Sequence, residues 1–302
     1  MHFPTVALVG KYHDTGIAAP LLALAHMLRA AGRKVLFEKD TAINIGVRDF
    51  PVASVAEIGA LASLAVVMGG DGTMLGLARL LAPYDVPLVG INHGRVGFIT
   101  DIPLDKSVQA LSDVIEGNFS SDERLLLEGK VFRGDQELFS GPALNDVVLS
   151  RASKGGMIEI NVHVDGEFMS QQRADGLIIA TPTGSTAYAL SSNGPILHPS
   201  LRGVVLVPVA PQALSNRPIT LPDTCTIDIT IIRCAGPSEG GASVHFDMQS
   251  FSSLQAGDRI VVRRADHTIR FLHPAGYSYF STLRRKLHWN QNPSDPANSL
   301  DS

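Results

Sequence analysis

The alternation of short apolar runs with helical patterns over the first hundred residues constrains the fold most. Four runs have the length and apolar content of buried strands: Val6–Gly10, Lys34–Glu38, Leu64–Met68 and Pro87–Ile91. Apolar residues at helical spacing from Ile17 to Leu28 separate the first two, and Gly32 follows where a helix would stop. A second helix is predicted over Thr73–Leu81. Strands that alternate with helices favour an open, largely parallel sheet covered by helices.

The chain changes character after about residue 120, where short β-rich runs replace this alternation. Gly, Pro or Asp residues separate the runs, which are Val131–Phe132, Leu144–Leu149, Ile158–Val164, Leu177–Ala180, Val204–Val207, Thr226–Ile232 and Ile260–Arg263. Thr226–Ile232 alternates polar and apolar residues, which is typical of a half-buried antiparallel strand. The sequence therefore predicts an α/β N-terminal domain and a mainly β C-terminal domain.

Composition excludes several functional classes. Of 302 residues, 45% are hydrophobic and only 18% are charged, and the net charge is −4. A chain this apolar is not disordered, and without a dense basic run it is a poor candidate for binding nucleic acid. No stretch reaches the ~18 apolar residues of a membrane helix. The presence of only two cysteines, Cys225 and Cys234, is typical of a protein in a reducing cytoplasm. The low fraction of charged residues predicts either a large core or surfaces that are buried between subunits.

A glycine-rich loop at residues 69–76 carries the clearest chemical signal. Gly-Gly-Asp-Gly-Thr follows the predicted strand Leu64–Met68 and leads into the predicted helix. Glycines let the backbone approach an anion closely, and the free N–H groups of the first helical turn point at it. Asp71 lies inside this loop, which we call the phosphate cradle. A carboxylate there repels phosphate unless a divalent cation bridges the two or the carboxylate takes part in proton transfer. The alternative is that Asp71 merely caps the helix.

The glycine loop resembles the signature of a kinase superfamily that contains NAD kinases, diacylglycerol and sphingosine kinases and phosphofructokinases. Three further segments resemble NAD kinases in particular. The first, Gly90–Ile99, is similar to their GINxGxxGFL segment, and the second is the pair Asn145-Asp146. The third runs from Arg173 to Pro195 and is similar to DGxxxxTPTGSTAYxLSxxGP almost position by position. A match of that length is far more specific than a lone glycine motif.

Without the resemblance, these segments have plainer interpretations. Asn145-Asp146 is typical of a turn before a strand, and residues 181–186 form a hydroxyl-rich turn with Tyr188 in the core. With the resemblance, the Asp146 carboxylate and the Asn145 carboxamide grip a ribose diol. Tyr188 then offers an aromatic face to a base.

The resemblance covers Val6 to Trp289 and implies a bacterial-type NAD kinase, which transfers a phosphoryl group from ATP to the 2′-hydroxyl of the adenosine ribose of NAD. It implies an α/β domain over 1–120, a β-sandwich over 121–270, a segment over 271–289 that returns to the first domain, and a polar, disordered tail over 290–302. It also implies a divalent cation such as Mg²⁺, a cytoplasmic location and a homo-oligomer, either a dimer or a tetramer.

The resemblance assigns the site residue by residue, and it assigns no metal ligand. Asp71 is the predicted general base, and Gly70 and Gly72 belong to the phosphate cradle. Asn145 and Asp146 would hold a ribose. The matched positions that would hold the rest of the dinucleotide, including its base and carboxamide ends, are Arg173, Asp175, Thr186, Ala187, Tyr188, Ala189, Leu190, Ser191 and Gln249.

Several points stay open at the level of sequence. A lipid kinase shares the glycine loop, although no amphipathic basic helix for a membrane surface is visible. A catalytically silent NAD-binding regulator is a further alternative, and the intact Asp71 argues against it. The groups that neutralise the ATP phosphates are not identified. Lys154 lies where some relatives place an arginine against the nucleotide, and no role is assigned to it. Arg173 beside Asp175 indicates a basic group near the acceptor site without fixing a preference. The segment from His273 to Phe280 is interpreted as packing against the first domain.

Overall fold

A computed structural model describes residues 2–11, 14–94, 97–152, 156–234 and 241–288. The chain divides into two compact units: unit 1 comprises Met1–Asp122 with Arg270–Ser302, and unit 2 comprises Glu123–Ile269. Two long strands carry the chain between the units, one on leaving unit 1 and one on returning to it. The predicted tail, 290–302, and Lys154 lie outside the described residues.

Unit 1 is the α/β unit that the alternating pattern predicts. Its strands are β1 (Thr5–Gly10), β2 (Lys34–Glu38), β3 (Val52–Ala53), β4 (Leu64–Gly69), β5 (Leu88–Asn92) and β6 (Ile102–Pro103). Its helices are α1 (Ala18–Ala30), α2 (Lys39–Ile45), α3 (Val55–Leu61), α4 (Asp71–Leu81), α5 (Ser107–Glu116) and, after the chain returns, α7 (Tyr279–Leu287). The predicted strands are therefore confirmed, and the helix predicted from Thr73 begins two residues earlier.

The strand order of the parallel sheet in unit 1 indicates where a ligand would bind. Its strand order is β3-β2-β1-β4-β5, and every pair is parallel. All six residues of β4 are buried, as expected of a strand covered by helices on both faces. From β1 the chain builds β2 and β3 on one side, and then it crosses to β4 on the other side. Open α/β sheets bind ligands where the order reverses, here at the carboxyl ends of β1 and β4.

Unit 2 is a β-sandwich. One antiparallel sheet has the order β14-β13-β12-β9-β16-β17, formed by β9 (Asp146–Arg151), β12 (Gly176–Ala180), β13 (Gly203–Val209), β14 (Ile219–Pro222), β16 (Ala242–Phe246) and β17 (Ser250–Leu254). The other has the order β11-β10-β15-β18, followed by the hairpin β7-β8; its members are β7 (Phe119–Arg133), β8 (Gln136–Ala143), β10 (Ile158–Val164), β11 (Glu167–Ala174), β15 (Ile227–Arg233) and β18 (Arg259–Pro274). A short helix, α6 (Tyr188–Ser191), follows β12.

One apolar core joins the two sheets of the sandwich. Buried residues of β9 and β12, such as Leu149 and Ile179, belong to the same cluster as Ile160 of β10 and Ile229 of β15. Burial alternates along β15, which pairs antiparallel with β10 and β18, so the half-buried strand predicted there is confirmed. The two cysteines are free thiols that contact this core. Among the described residues, no helix is long and apolar enough to span a membrane.

Candidate functional site

Asp71 begins helix α4 directly after the loop that ends β4. The N-cap residue is Gly70, and the Asp71 side chain makes no capping bond. Its carboxylate instead accepts hydrogen bonds from a second loop. The Phe98 N–H lies 2.8 Å from Oδ2, and Oδ1 accepts from the Ile99 N–H at 3.3 Å and from the N–H and hydroxyl of Thr100 at 3.1 and 2.8 Å. The interpretation of Asp71 as a helix cap is therefore wrong.

The loop that holds Asp71 is a tight turn over residues 97–100. The Gly97 N–H donates to the Thr100 carbonyl at 3.0 Å, and the buried Asn92 amide donates to the Thr100 hydroxyl at 3.1 Å. A Cβ atom on Gly97 would overlap the Asp71 carboxylate, so only glycine fits there. From the described residues, Oδ1 of Asp71 accepts three bonds and Oδ2 accepts one, which leaves Oδ2 with capacity for a further donor.

Two basic side chains flank the end of β4 from the neighbouring strands. Lys11 follows β1 and donates its N–H to the Met68 carbonyl at 2.9 Å, while His93 follows β5 and donates its N–H to the Gly69 carbonyl at 3.0 Å. The Asp14 carboxylate lies 3.9 Å from the Lys11 ammonium and 3.2 Å from His93 Nδ1. Sequence reasoning missed both basic residues. Their position directly after a predicted strand is the signal that could have found them.

A cavity of about 360 Å³ opens at the same edge of the sheet. Its lining includes Val9 and Gly10 at the end of β1, Glu38 at the end of β2, and Thr73 and Leu77 of α4. The glycine loop and this cavity therefore share one side of unit 1, beside the point where the strand order reverses.

In unit 2, the Asp247 side chain holds the loop that carries Asn145 and Asp146, and we call this set of contacts the Asp247 clamp. The Asp247 carboxylate accepts from the N–H groups of Leu144, Asn145 and Asp146 at 2.9, 2.7 and 3.1 Å. The Asp247 N–H in turn donates to the Asp146 carbonyl at 3.0 Å. Asp247 is buried, whereas Gln249, the predicted binding residue two positions further on, is exposed.

The pairing of Asp146 with Asp247 changes the charge of the site. Both side chains are buried. Burial, and then the charge of Asp247, raise the pKa of Asp146 to about 7. Around neutral pH Asp146 is therefore divided between a carboxylate, which accepts hydrogen bonds, and a carboxylic acid, which also donates one.

The hydroxyl-rich turn over residues 181–186 packs directly on the Asn145 loop. The Thr181 N–H donates to the Asn145 carbonyl at 2.9 Å, and a Cβ atom on Gly184 would overlap that same carbonyl. The two segments that the sequence singles out are thus in contact. Arg124, which sequence reasoning missed, is buried and donates to the Thr183 hydroxyl at 3.1 Å. No local pattern marks this arginine.

A second cavity, of about 430 Å³, lies in unit 2 and is lined by Asp175, Gly176 and Tyr188 among others. Tyr188 is 41% exposed, so placing it in the core is wrong. The basic partner of Asp175 is Arg151, whose Nε lies 2.7 Å from Asp175 Oδ1 and which also lines the cavity. Arg173, the sequence neighbour of Asp175 at two residues' distance, is exposed on β11.

The remaining predicted binding residues lie in a compact bend after β12. Gly184–Thr186 forms one turn of 3₁₀ helix, and α6 has only four residues. The Thr186 hydroxyl donates to the Thr183 carbonyl at 3.1 Å. Ala189 is buried, Ser191 is exposed, and Ala187 and Leu190 are half-buried. Among the described residues, no group of three or more acidic, His or Cys side chains could hold a metal ion by itself.

Comparison with known proteins identifies the family. Two family models match, the ATP-NAD kinase N-terminal domain over residues 23–119 and the ATP-NAD kinase C-terminal domain over residues 144–274. An NAD kinase of Bordetella avium is 66% identical over 97% of this chain and 98% of its own length. An NAD kinase of Paraburkholderia phytofirmans is 57% identical over 98% of this chain and 97% of its own length.

Solved structures share the fold. A yeast NADH kinase with bound NADH superposes with a TM-score of 0.86, at 24% identity, over 95% of this chain and 88% of its own. An NAD kinase of Archaeoglobus fulgidus with bound ATP gives a TM-score of 0.73, also at 24% identity, over 94% of this chain and 98% of its own. Together with the matched models and relatives, this likeness makes the chain a member of the ATP-NAD kinase family.

Proposed function

We propose that this chain transfers the γ-phosphoryl group of ATP to the 2′-hydroxyl of the adenosine ribose of NAD and so makes NADP. The observation that carries the proposal is the oriented carboxylate of Asp71, which stands in a glycine loop at the ligand-binding edge of a parallel sheet. Relatives that match over nearly their full length are named NAD kinases, which supports the choice of acceptor.

Asp71 acts as the general base. A ribose hydroxyl is a weak nucleophile and needs a proton acceptor within hydrogen-bond reach. Oδ2 of Asp71 accepts only the Phe98 N–H among the described groups, so it is the oxygen that takes the proton. The turn over residues 97–100 keeps this oxygen in one orientation throughout the transfer.

The donor phosphates lie on the glycine loop between Lys11 and His93. Gly70 and Gly72 let the loop approach an anion closely, and the dipole of α4 favours negative charge at its start. Lys11 supplies positive charge from one side of β4, the His93 imidazole offers a hydrogen-bonding nitrogen from the other side, and Asp14 orients both. Phosphoryl transfer depends largely on this kind of positioning and charge neutralisation. The cavity beside β1 and β2 accommodates the nucleoside of the donor.

A divalent cation such as Mg²⁺ would bind together with the donor phosphates. Mg²⁺ keeps several waters and is commonly bound by one or two carboxylates together with substrate phosphates. Among the described residues, the Asp14 carboxylate beside Lys11 and His93 would hold such an ion. The cation would neutralise the charge that develops on the phosphates.

Unit 2 binds NAD. Asn145 and Asp146 hold a ribose diol, and the Asp247 clamp fixes both residues for this task. Asp175 and Tyr188 take one of the two ring systems in the cavity that they line. The other predicted contacts, from Arg173, Thr186, Ala187, Ala189, Leu190, Ser191 and Gln249, complete the site.

The low charge of the chain supports a homo-oligomer, because faces buried between subunits need few charged residues. Two free thiols support a reducing cytoplasm as its location. Analytical ultracentrifugation tests the first point: a dimer or tetramer is expected, and a monomer would contradict it.

One assay of the purified protein tests the proposed function against its alternatives. ATP and Mg²⁺ are supplied with NAD, NADH or diacylglycerol, and the products are identified by mass spectrometry. NADP from NAD is the expected product, and the NADH arm measures the acceptor preference. Phosphatidic acid in place of NADP would indicate a lipid kinase. NAD binding by calorimetry without any product would indicate a silent regulator.

A further inference from the structure

A buried cluster in unit 1 contains a histidine that lies between two carboxylates. His273, near the end of β18, is 1% exposed. Its Nδ1 lies 3.0 Å from Asp101 Oδ2, and its Nε2 lies 3.4 Å from Asp122 Oδ2. The Tyr277 ring stacks on the imidazole, with centroids 3.9 Å apart and planes 9° from parallel. The imidazole thus bridges two carboxylates from separate parts of the chain.

This imidazole is a cation at neutral pH. Burial lowers the pKa of His273, but the hydrogen bond with Asp101, the nearby Asp122 carboxylate and the charges of both groups outweigh burial and raise the pKa to about 9. A buried charge is stable only when it is paired, and here one cation faces two anions. Loss of the cation would leave the Asp101 side chain, which is 5% exposed, facing a second carboxylate.

Asp101 connects this cluster to the turn over residues 97–100, which holds Asp71. It directly follows Thr100, whose N–H and hydroxyl both donate to Asp71. Asn92 holds the Thr100 hydroxyl from another side. Asp101 is therefore the first residue after the turn over residues 97–100, and the His273 imidazole fixes its side chain.

The same C-terminal segment reaches the other end of the turn. The Lys286 ammonium of α7 lies 5.9 Å from the ring centroid of Phe98, a cation–π contact. Phe98 donates its N–H to Oδ2 of Asp71, the oxygen proposed to take the proton. Both ends of the turn are thus in contact with residues that follow the return of the chain to unit 1.

We propose that His273 is a positioning residue for phosphoryl transfer, which fixes Asp101 and thereby the turn that aims the Asp71 carboxylate at the acceptor hydroxyl. The inference rests on the proposed function, with Asp71 as the base. It gives the returning segment a part in catalysis beyond the packing that the sequence predicts. Such precision matters, since a displacement of about 1 Å can cost about 10²-fold in rate.

The test compares His273→Gln and Asp101→Asn with the wild type. His267→Gln is the matched control, since His267 is an exposed histidine on the same strand. We expect kcat to fall about ten-fold in both variants while KM for ATP and NAD stays within about two-fold, because only the aim of the base changes. The losses should not multiply in the double variant, since both act through one contact. His267→Gln should keep the wild-type kcat.

The decisive arm repeats His273→Gln in an Asp71→Asn background. With the base removed, a residue that acts only through Asp71 should change the residual kcat by less than about two-fold. A further loss of about ten-fold there would show general damage and overturn the inference. Thermal melts accompany each variant, and His273→Asn, which keeps an amide donor, replaces His273→Gln if that variant does not fold.

Failures of the two proposals are distinguishable. A wild-type protein that makes no NADP overturns the proposed function and this inference with it. An active wild type whose kcat is unchanged by His273→Gln overturns the inference alone. A variant with raised KM for both substrates and unchanged kcat also contradicts it, because that pattern belongs to binding residues.

Discussion

Asp71 of unit 1 and Asp146 of unit 2 have contrasting surroundings: hydrogen-bond donors surround Asp71, whereas Asp146 is buried near a second carboxylate. Asp71 accepts four hydrogen bonds from one turn, and a buried imidazolium stands behind that turn. Asp146 is buried beside a second carboxylate, and burial followed by that charge raises its pKa to about 7. Donors favour a negative charge, whereas desolvation and like charges oppose it. The partners of an aspartate, and not the residue type, decide what it can do.

The largest effect is expected from Asp71→Asn. Asparagine keeps the size of the side chain but cannot accept the proton, so kcat should fall by about 10²–10⁴, the usual contribution of a general base. Steady-state kinetics of NADP formation measures this. Asp49→Asn, a change at an exposed aspartate of the same unit, is the control. A kcat near that of the wild type would remove Asp71 from the mechanism.

Gly97→Ala should disturb the same site without a substitution at Asp71. The added Cβ would overlap the Asp71 carboxylate, so either the side chain or the turn has to move. We expect kcat to fall by about 10²-fold, the cost of about 1 Å of misplacement. Gly156→Ala serves as the control, because a Cβ there has open space. Equal kcat values for the two variants would show that the turn does not orient the base.

Asp146→Asn should remove a pH dependence of stability. The folded state holds the Asp146 proton up to a pKa of about 7, above the ordinary value for aspartate, so its contribution to stability falls as the pH rises from about 4 to 7. Relative to the wild type, the variant should therefore gain about 4 kcal/mol more in its free energy of unfolding at pH 8 than at pH 4. Urea unfolding at both pH values measures this difference.

The matched control is Asp135→Asn, which changes an exposed aspartate of the same unit. Its free energy of unfolding should differ from that of the wild type by the same amount at both pH values. An Asp146→Asn variant that behaves like this control would show that Asp146 does not keep its proton up to neutral pH in the folded state.

Lys11→Met should have the smallest effect. A charge-assisted hydrogen bond to a phosphate contributes about 1.5 kcal/mol, so KM for ATP should rise about ten-fold while KM for NAD stays unchanged. Lys34→Met, at the opposite end of a neighbouring strand, is the control. A rise in KM for NAD alone would place Lys11 on the acceptor side.

Local patterns in the sequence identify the strands well, because a buried parallel strand needs a continuous apolar run. β10 matches its predicted bounds at both ends, and β4 extends by a single residue. The prediction missed α3, a seven-residue helix whose capping box, Ser54 with Glu57, is visible in the sequence. Short helices carry too few apolar positions for a periodicity to stand out.

Motif matching located the loops of the site but not the residues that hold them. Asp71 and Asp146 follow from motifs, whereas their supports do not. Asp101 and His273 are 172 positions apart, and Asp247 lies 101 positions from Asp146. Contacts across such separations depend on the register of the sheets, which no local spacing encodes. Supporting residues of this kind therefore emerge only from the folded structure.

Calorimetric titration of NAD into Asp71→Asn and Asp146→Asn tests the division of labour between the two carboxylates most directly. The account predicts that Asp71→Asn binds NAD with the Kd of the wild type, because it loses only the base. Asp146→Asn should bind NAD about ten-fold more weakly, because it loses a carboxylate that holds a ribose hydroxyl. The reverse pattern, with weak binding in Asp71→Asn and a wild-type Kd in Asp146→Asn, would contradict the account.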